Sequence, residues 1–492
     1  MRLLNGLHAK RATAALALAA LTSLAACGDD DDDDDDNGGG IGCSVNPTAP
    51  GCTADPTILQ GTLTANTTLN ANQRYTLRGF VKVPANVTLT IPAGTVIVGD
   101  TTQTSALFVL RGGRINATGT AAAPIVMTSG RTVGNRSPGD WGGLILIGNG
   151  TINRTGSIIL EGTATRPEDR VDYGGGSSNT DNSGTLSYVR VEFAGFAEAP
   201  SAELNSFTFA AVGSGTTLDH LQSLAGLDDS FEWFGGAVNG RYLVSYESGD
   251  DHFDPSEGYS GKNQFLIALQ TTRLQQRGGA AGGLSSDPQG FEVDGCDNTA
   301  TGCTLGQGST PLNMPMFANF TVVGPGPGVL PATAGVGTGM VLRRGTGGTY
   351  VNGIIARWPI GMAIRDTSSI NRLTADSLTI RNILFVENTA IFDPATNNLA
   401  RGPQLTTAAL DSAATTVAAV FTGLPAAGTA PTTATLNFTL AAASPARGGG
   451  LATFTSTVAA RAGTFITPTA YRGAVDPNAQ PWYAGWTNYA RN

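Results

Sequence analysis

The feature that most constrains this chain is a segment that repeats itself. Between Leu218 and Leu269, Asp228 and Asp229 return as Asp250 and Asp251, 22 residues later. At the same offset Leu221 meets Leu243, Ser223 meets Ser245, Phe231 meets Phe253 and Glu232 meets Asp254. Short β-rich stretches joined by a Gly-Asp corner at this period describe one turn of a parallel-strand solenoid, in which each coil touches only its neighbours. Such a register stacks equivalent side chains about 4.8 Å apart. It places two Asp-Asp pairs and a Glu over an Asp on one edge. Stacked carboxylates repel, so that edge requires a cation, shared protons or water.

The rest of the chain agrees with a solenoid. Of 492 residues 66 are Gly and only 14% are charged, the composition of a β-rich, turn-rich protein. From Thr57 onward, β-branched alternation is broken by Asn, Pro and Gly turns, with Val81, Val83, Val87, Leu89, Ile91, Val96 and Val98 reading as inward faces. Strands are expected at 186–193, 207–212, 316–323, 350–358 and 378–386, and polar, Gly-rich excursions at 161–183 and 278–308. Residues 406–423 suit a short amphipathic helix. Trp482, Tyr483 and Trp486 suit lids over the last open coil.

The N-terminus reads as a targeting signal. Arg2, Lys10 and Arg11 precede an apolar run, Ala12 to Ala26, too short for an ordinary membrane span. Leu24-Ala25-Ala26-Cys27 resembles the lipobox of bacterial lipoproteins, which implies cleavage after residue 26 and diacylation of Cys27. Asp29 to Asp36 form a run of like charge that self-repels, a solvated tether over residues 27–56. Most of the net charge of −9 is in that run, which argues against a nucleic-acid partner. Cys43 with Cys52, and Cys296 with Cys303, use the remaining cysteines as two local disulfides, in keeping with export. No CxxC spacing supports a thiolate metal site.

Several segments carry a resemblance: VTLTIPAGTVI, LFVLRGGRINATGTAAAPIVMTS, GDWGGLILIGNG, SYVRVEFAG, VGSGTTLDHLQ, DDSFEWFGG, DDHFDPSEGYSGKNQF and the closing WYAGWTNY. Together they are similar to a large, mostly uncharacterised group of secreted or lipid-anchored bacterial right-handed parallel β-helix proteins. The resemblance implies an all-β, right-handed parallel β-helix over 57–393, a covering segment and C-terminal cap over 394–492, and an exported location. It implies no activity.

The acidic edge is the constellation with chemistry in it. Asp228, Asp229, Asp250, Asp251 and Asp254 are hard oxygen ligands of the kind calcium takes six to eight of. Aspartates at corners also cap turns by accepting backbone N–H groups. A third reading is catalytic: Asp250, Asp251 and His252 lie in GDDHFD, which resembles the paired-Asp segment of polygalacturonase-type glycosidases. That family's Gly-His-Gly and Arg-Ile-Lys segments are missing, and no Arg or Lys lies in 250–261 for a lyase route. Trp233 and Tyr259 are the candidates for an exposed ligand-stacking surface, while Phe231 and Phe253 read as a core ladder and Trp141 as a buried plug. The expected function is that of a lipid-anchored outer-membrane protein, facing the periplasm or the surface, that recognises a glycan or an outer-membrane protein and holds calcium. The alternative is a polysaccharide-degrading enzyme using the acidic edge.

Overall fold

A computed structural model describes residues 57–199, 202–330, 337–393, 410–411, 415–431 and 436–490. The chain divides into Met1–Asp55 and Pro56–Asn492. Cys27, Cys43, Cys52 and the aspartate run lie outside the described residues.

The second unit is a parallel β-helix whose coils have three faces. A first row of strands takes Thr88–Pro92, Arg114–Thr118 and the leading halves of Gly184–Glu192, Thr217–Leu224, Asn239–Tyr246, Lys262–Leu269 and Met316–Val323. The trailing halves of the same strands form a second row, preceded by Val96–Gly99 and Ile125–Ser129 and followed by Ile354–Ala356 and Ile383–Val386. A third row runs from Ala106–Val109 through Leu144–Ile147, Phe207–Ala210, Phe231–Phe234 and Phe253–Ser256 to Glu292–Asp294, Val341–Arg343 and Ile360–Ile364. The 22-residue register is observed residue for residue: Leu221 pairs with Leu243, Ser223 with Ser245, Phe231 with Phe253 and Glu232 with Asp254.

One residue makes each bend between the first and second rows, and it does so in the left-handed region. Tyr188, His220, Tyr242 and Phe265 have φ of 51°, 54°, 61° and 64°. That conformation costs a non-glycine residue about 1–2 kcal/mol. Their rings stack on one another at 4.3, 4.4 and 5.2 Å between centroids, which offsets part of the cost. Only His220 and Tyr242 keep the 22-residue spacing; Tyr188 lies 32 residues before His220 and Phe265 23 after Tyr242, and aromatic residues are poor turn formers by propensity.

The interior is a continuous apolar column. Alternation on the third row turns Phe231 and Trp233 inward and Glu232 outward, so Phe231 lies 5.7 Å from Phe253 and Trp233 5.5 Å from Tyr259. Trp233 and Tyr259 are therefore not a ligand-stacking surface: both are 0% exposed. The Tyr259 hydroxyl donates to the Val238 carbonyl at 2.7 Å, which satisfies its polar end inside the core. Trp141 is buried as expected, and its indole N–H donates to the Glu192 carbonyl at 2.8 Å. A Cβ on Gly99 would fall 2.3 Å from that of Trp141, so the preceding coil needs glycine there.

Three expectations are corrected. Glu292–Asp294 is a third-row strand within what reads as an excursion. Among the described residues of 406–423 only Val417–Val420 is helical, while Leu410–Asp411 extends the second row beside Ile383 and Leu384. Trp482, Tyr483 and Trp486 do not close the last coil. The C-terminal segment runs back along the flank, where Gly473 N–H donates to the Asn352 carbonyl, Thr467 N–H to Gln264 and Asn488 N–H to Gln222. Trp486 ends against Tyr188 and His220 because their ladder offers apolar edges to cover. Among the described residues no helix is long and apolar enough to cross a membrane.

Candidate functional site: an acidic recess at the corner before the third row

The corner between the second and third rows carries the repeated aspartates, and part of their role there is to hold backbone. Asn205 Oδ1 accepts the Asp229 N–H at 3.1 Å, Asp229 Oδ1 accepts the Asp251 N–H at 2.8 Å, and Asp251 Oδ1 accepts the Gln289 N–H at 2.6 Å. Each side chain thus caps the coil above it, the turn-capping the sequence allowed. The corner is tight: a Cβ on Gly249 would sit 1.8 Å from the Leu227 carbonyl oxygen.

Capping uses only one oxygen of each carboxylate. The others face a recess of about 310 Å³ lined by Glu161, Glu203, Asp228, Asp229, Glu232, Asp250, Asp251, Asp254 and Glu292, with Asn205, Gly283 and Ser285. Glu232 and Asp254 come from facing strands of the third row, and the pairing of Phe253 with Phe291 puts Glu292 next in that column. Glu161 arrives from the excursion at 161–183, and Glu203 from the short antiparallel pair of Ala197–Ala199 with Ala202–Glu203. Three triads have carboxylate oxygens within 4.8 Å of one another: Asp228, Asp229 and Asp250; Asp229, Glu232 and Asp254; and Asp251, Asp254 and Glu292. The triads overlap at Asp229 and Asp254. Asp254 Oδ1 is inaccessible and has no hydrogen-bond partner.

Burial dominates the electrostatics, with the neighbouring negative charges adding to it. Asp228, Asp229, Glu232, Asp251 and Asp254 are all held well above the usual carboxylate range. Burial pushes Glu161 and Glu292 up to about 7 and Asp250 up to about 6. Burial and mutual repulsion thus oppose full ionisation of the recess near neutral pH.

His252 is not a base for this site. It is 0% exposed, its Nδ1 lies 2.5 Å from Ser245 Oγ in the interior, and burial pushes it down to about 3. His252 lies in the corner just before the strand Phe253–Ser256, where alternation does not apply, and both it and Phe253 are buried.

Sequence reasoning missed the basic groups nearby. A second cavity of about 240 Å³ shares Glu232, Asp254 and Glu292 with the first and adds Arg154, Arg344, Glu257 and the Cys296–Cys303 disulfide. Arg154 pairs with Glu257 at 2.5 Å, and Arg343 Nε donates to Asp294 at 2.7 Å. Arg154 lies 78 residues before Glu232 and Arg344 52 residues after Glu292, with no local spacing to the carboxylates. Glu292 was findable, because Phe291-Glu292 repeats the Phe-acid pattern of Phe231-Glu232 and Phe253-Asp254.

The capping role and the charge of Asp229 separate by substitution. Asp229→Ala leaves the buried Asp251 N–H without its acceptor and should lower unfolding stability by about 1–3 kcal/mol. Asp229→Asn keeps an acceptor and removes a charge, so in chelator its melting temperature should equal or exceed that of the wild type. A lower value would count against repulsion in the recess.

No match is found among curated proteins or among solved structures. A family model described as a pectate-lyase like beta helix domain matches residues 61–432. This span includes all three strand rows and the recess. The chain belongs to the pectate-lyase-like β-helix family.

Proposed function

We propose that this protein is a glycan-recognition module of the bacterial cell envelope, anchored in the outer membrane by lipid on Cys27, with calcium held in the acidic recess. The observation that carries the reading is the recess: nine carboxylates and three overlapping triads, with no Lys, Arg or His among the described residues that line it. Asp228, Asp229, Asp250, Asp251 and Asp254 supply the ligands first expected, and Glu232 and Glu292 extend the set. Calcium accepts six to eight oxygens at about 2.3–2.6 Å in flexible geometry, which suits overlapping carboxylates better than an octahedral ion does. Bound cation would present part of its coordination shell to the hydroxyl or acidic groups of a sugar chain. In support of the anchor, Cys27→Ala should move the protein from the membrane fraction to the soluble fraction. Its retention in membranes would remove the lipid from the account.

Calcium should raise the melting temperature of the body from Thr57 onward. At a hundredfold excess over the dissociation constant the gain is about 2.7 kcal/mol. The pH dependence has a definite sign. Glu161 and Glu292 titrate higher in the folded protein than unfolded, so in chelator their contribution is full below about pH 4.5 and lost as pH rises through about 7. Calcium binds the deprotonated form, so the calcium-induced shift should grow from pH 5 to pH 8. A melt indifferent to calcium at pH 8, or a calcium shift unchanged by Asp228→Asn with Asp250→Asn, would remove calcium from the recess and leave only the capping by Asp229 and Asp251.

The second reading, polysaccharide cleavage, is favoured by Arg154 and Arg344 beside Glu232, Asp254 and Glu292. Assays for reducing ends and for unsaturated products on a panel of acidic glycans separate the two. Binding without turnover is the expected result. Turnover abolished by Asp250→Asn would establish the enzyme instead.

A further inference from the structure

A second cluster of charge lies at the same corner, on the coil before the recess, and its sign is opposite. Asp140 Oδ2 accepts from Ser129 Oγ at 2.6 Å and from the Ser137 N–H at 2.9 Å. Its Oδ1 meets two guanidinium groups, Arg131 at 3.3 Å and Arg277 at 2.9 Å. Glu192 is met in the same manner by Arg190 at 3.1 Å and Arg136 at 3.9 Å. The Asp140 N–H donates to the Phe193 carbonyl at 3.1 Å, so the two acids belong to one patch.

The layering of the patch matters. The Asp140 and Glu192 side chains are 2% and 3% exposed, whereas those of Arg131 and Arg277 are each 36% exposed. The negative charge is underneath and the positive charge faces out. Arg190 has a structural task, donating to the Trp486 carbonyl at 2.8 Å, and Arg136 lies over the Phe193 ring. Arg131 and Arg277 share a single carboxylate, so one of their two charges is in excess. Arg277 is steadied by a hydrogen bond to the Asn135 carbonyl at 2.7 Å.

The patch abuts the recess. A Cβ on Gly139 would meet Leu227 Cδ2 at 2.8 Å, and Leu227 is followed by Asp228. Leu227 is buried between the two, so the patch and the recess are neighbours on successive coils of the same corner.

We propose that Arg131 and Arg277 form an anion-binding subsite that receives a carboxylate or sulfate group of an acidic glycan whose neighbouring segment occupies the recess. The proposal rests on the glycan-recognition reading above and specifies the ligand's charge. Both guanidinium groups are held by one buried carboxylate: Arg131 reaches it through Nε and keeps its two Nη groups for a second oxyanion, while Arg277, whose Nε and Nη2 are taken by Asp140 and the Asn135 carbonyl, keeps Nη1.

The test uses polygalacturonate, dextran sulfate and neutral dextran, with calcium in excess. The proteins are the wild type, Arg131→Gln, Arg277→Gln, the double variant and Arg131→Lys, each first shown to melt cooperatively and to keep its calcium shift. The double variant should bind the charged polymers about tenfold or more weaker, with Arg131→Lys in between and dextran unaffected. The polymer that loses more identifies carboxylate or sulfate as the group received. Equal affinity of wild type and double variant for both charged polymers overturns the subsite while leaving glycan recognition intact. If none of the three polymers binds the wild type, the recognition reading falls and the subsite with it. Tighter binding of a short DNA duplex than of either charged glycan, lost in the double variant, overturns the ligand assignment.

Discussion

Parallel pairing of like with like is the constraint from which the rest of this structure follows. A coil that repeats its sequence lays each side chain on its own kind at one strand spacing. For Phe231 on Phe253 and Leu221 on Leu243 that is favourable, and it builds an apolar column without long-range search. For Asp229 under Asp251 it is unfavourable unless something intervenes. The backbone intervenes first, since each carboxylate takes an N–H from the coil above. The remaining oxygens are left to gather at one corner, and the charged recess is what that residue of unsatisfied capacity looks like.

The same constraint decides how much could be read beforehand. Where two coils repeat closely, as from Leu218 to Leu269, the register, the inward Phe ladder and the acidic edge were all legible, because a fixed offset maps directly onto vertical neighbours. Trp233 and Tyr259 were misassigned because a Trp or Tyr beside acids resembles a binding surface, and only strict alternation places Trp233 opposite to Glu232. Arg154, Arg344, Glu161 and Glu203 were invisible as site residues. They reach the recess from excursions or distant coils, and excursion length carries no register. The C-terminal aromatics were correctly read as a cover, but not over the surface they cover. That surface, Tyr188 to Phe265, exists only because left-handed bends turn four rings into one column.

Charge on this protein is sorted by depth as well as by place. In the recess, acids face inward on a cavity and guanidinium groups stand outside it. At Asp140 the order is inverted, with acid below and arginine above. The Gly-rich excursion that contributes Gly283 and Ser285 to the recess also supplies Arg277 to the neighbouring patch. One surface segment therefore spans both environments, and its path sets how they are spaced for any extended ligand.

The path of the C-terminal segment has a consequence for how the molecule is made. A solenoid whose coils contact only their neighbours can assemble progressively from its first coil as the chain emerges. Here the last residues return to the flank of much earlier ones: Asn488 bonds with Gln222, and the Trp486 carbonyl accepts from Arg190. Those contacts span 266 and 296 positions. The ring ladder of the central coils consequently stays uncovered until Trp486 has been made. Covering the ladder waits on residues 467–488, and a product lacking them would carry an open aromatic strip rather than merely a shorter helix.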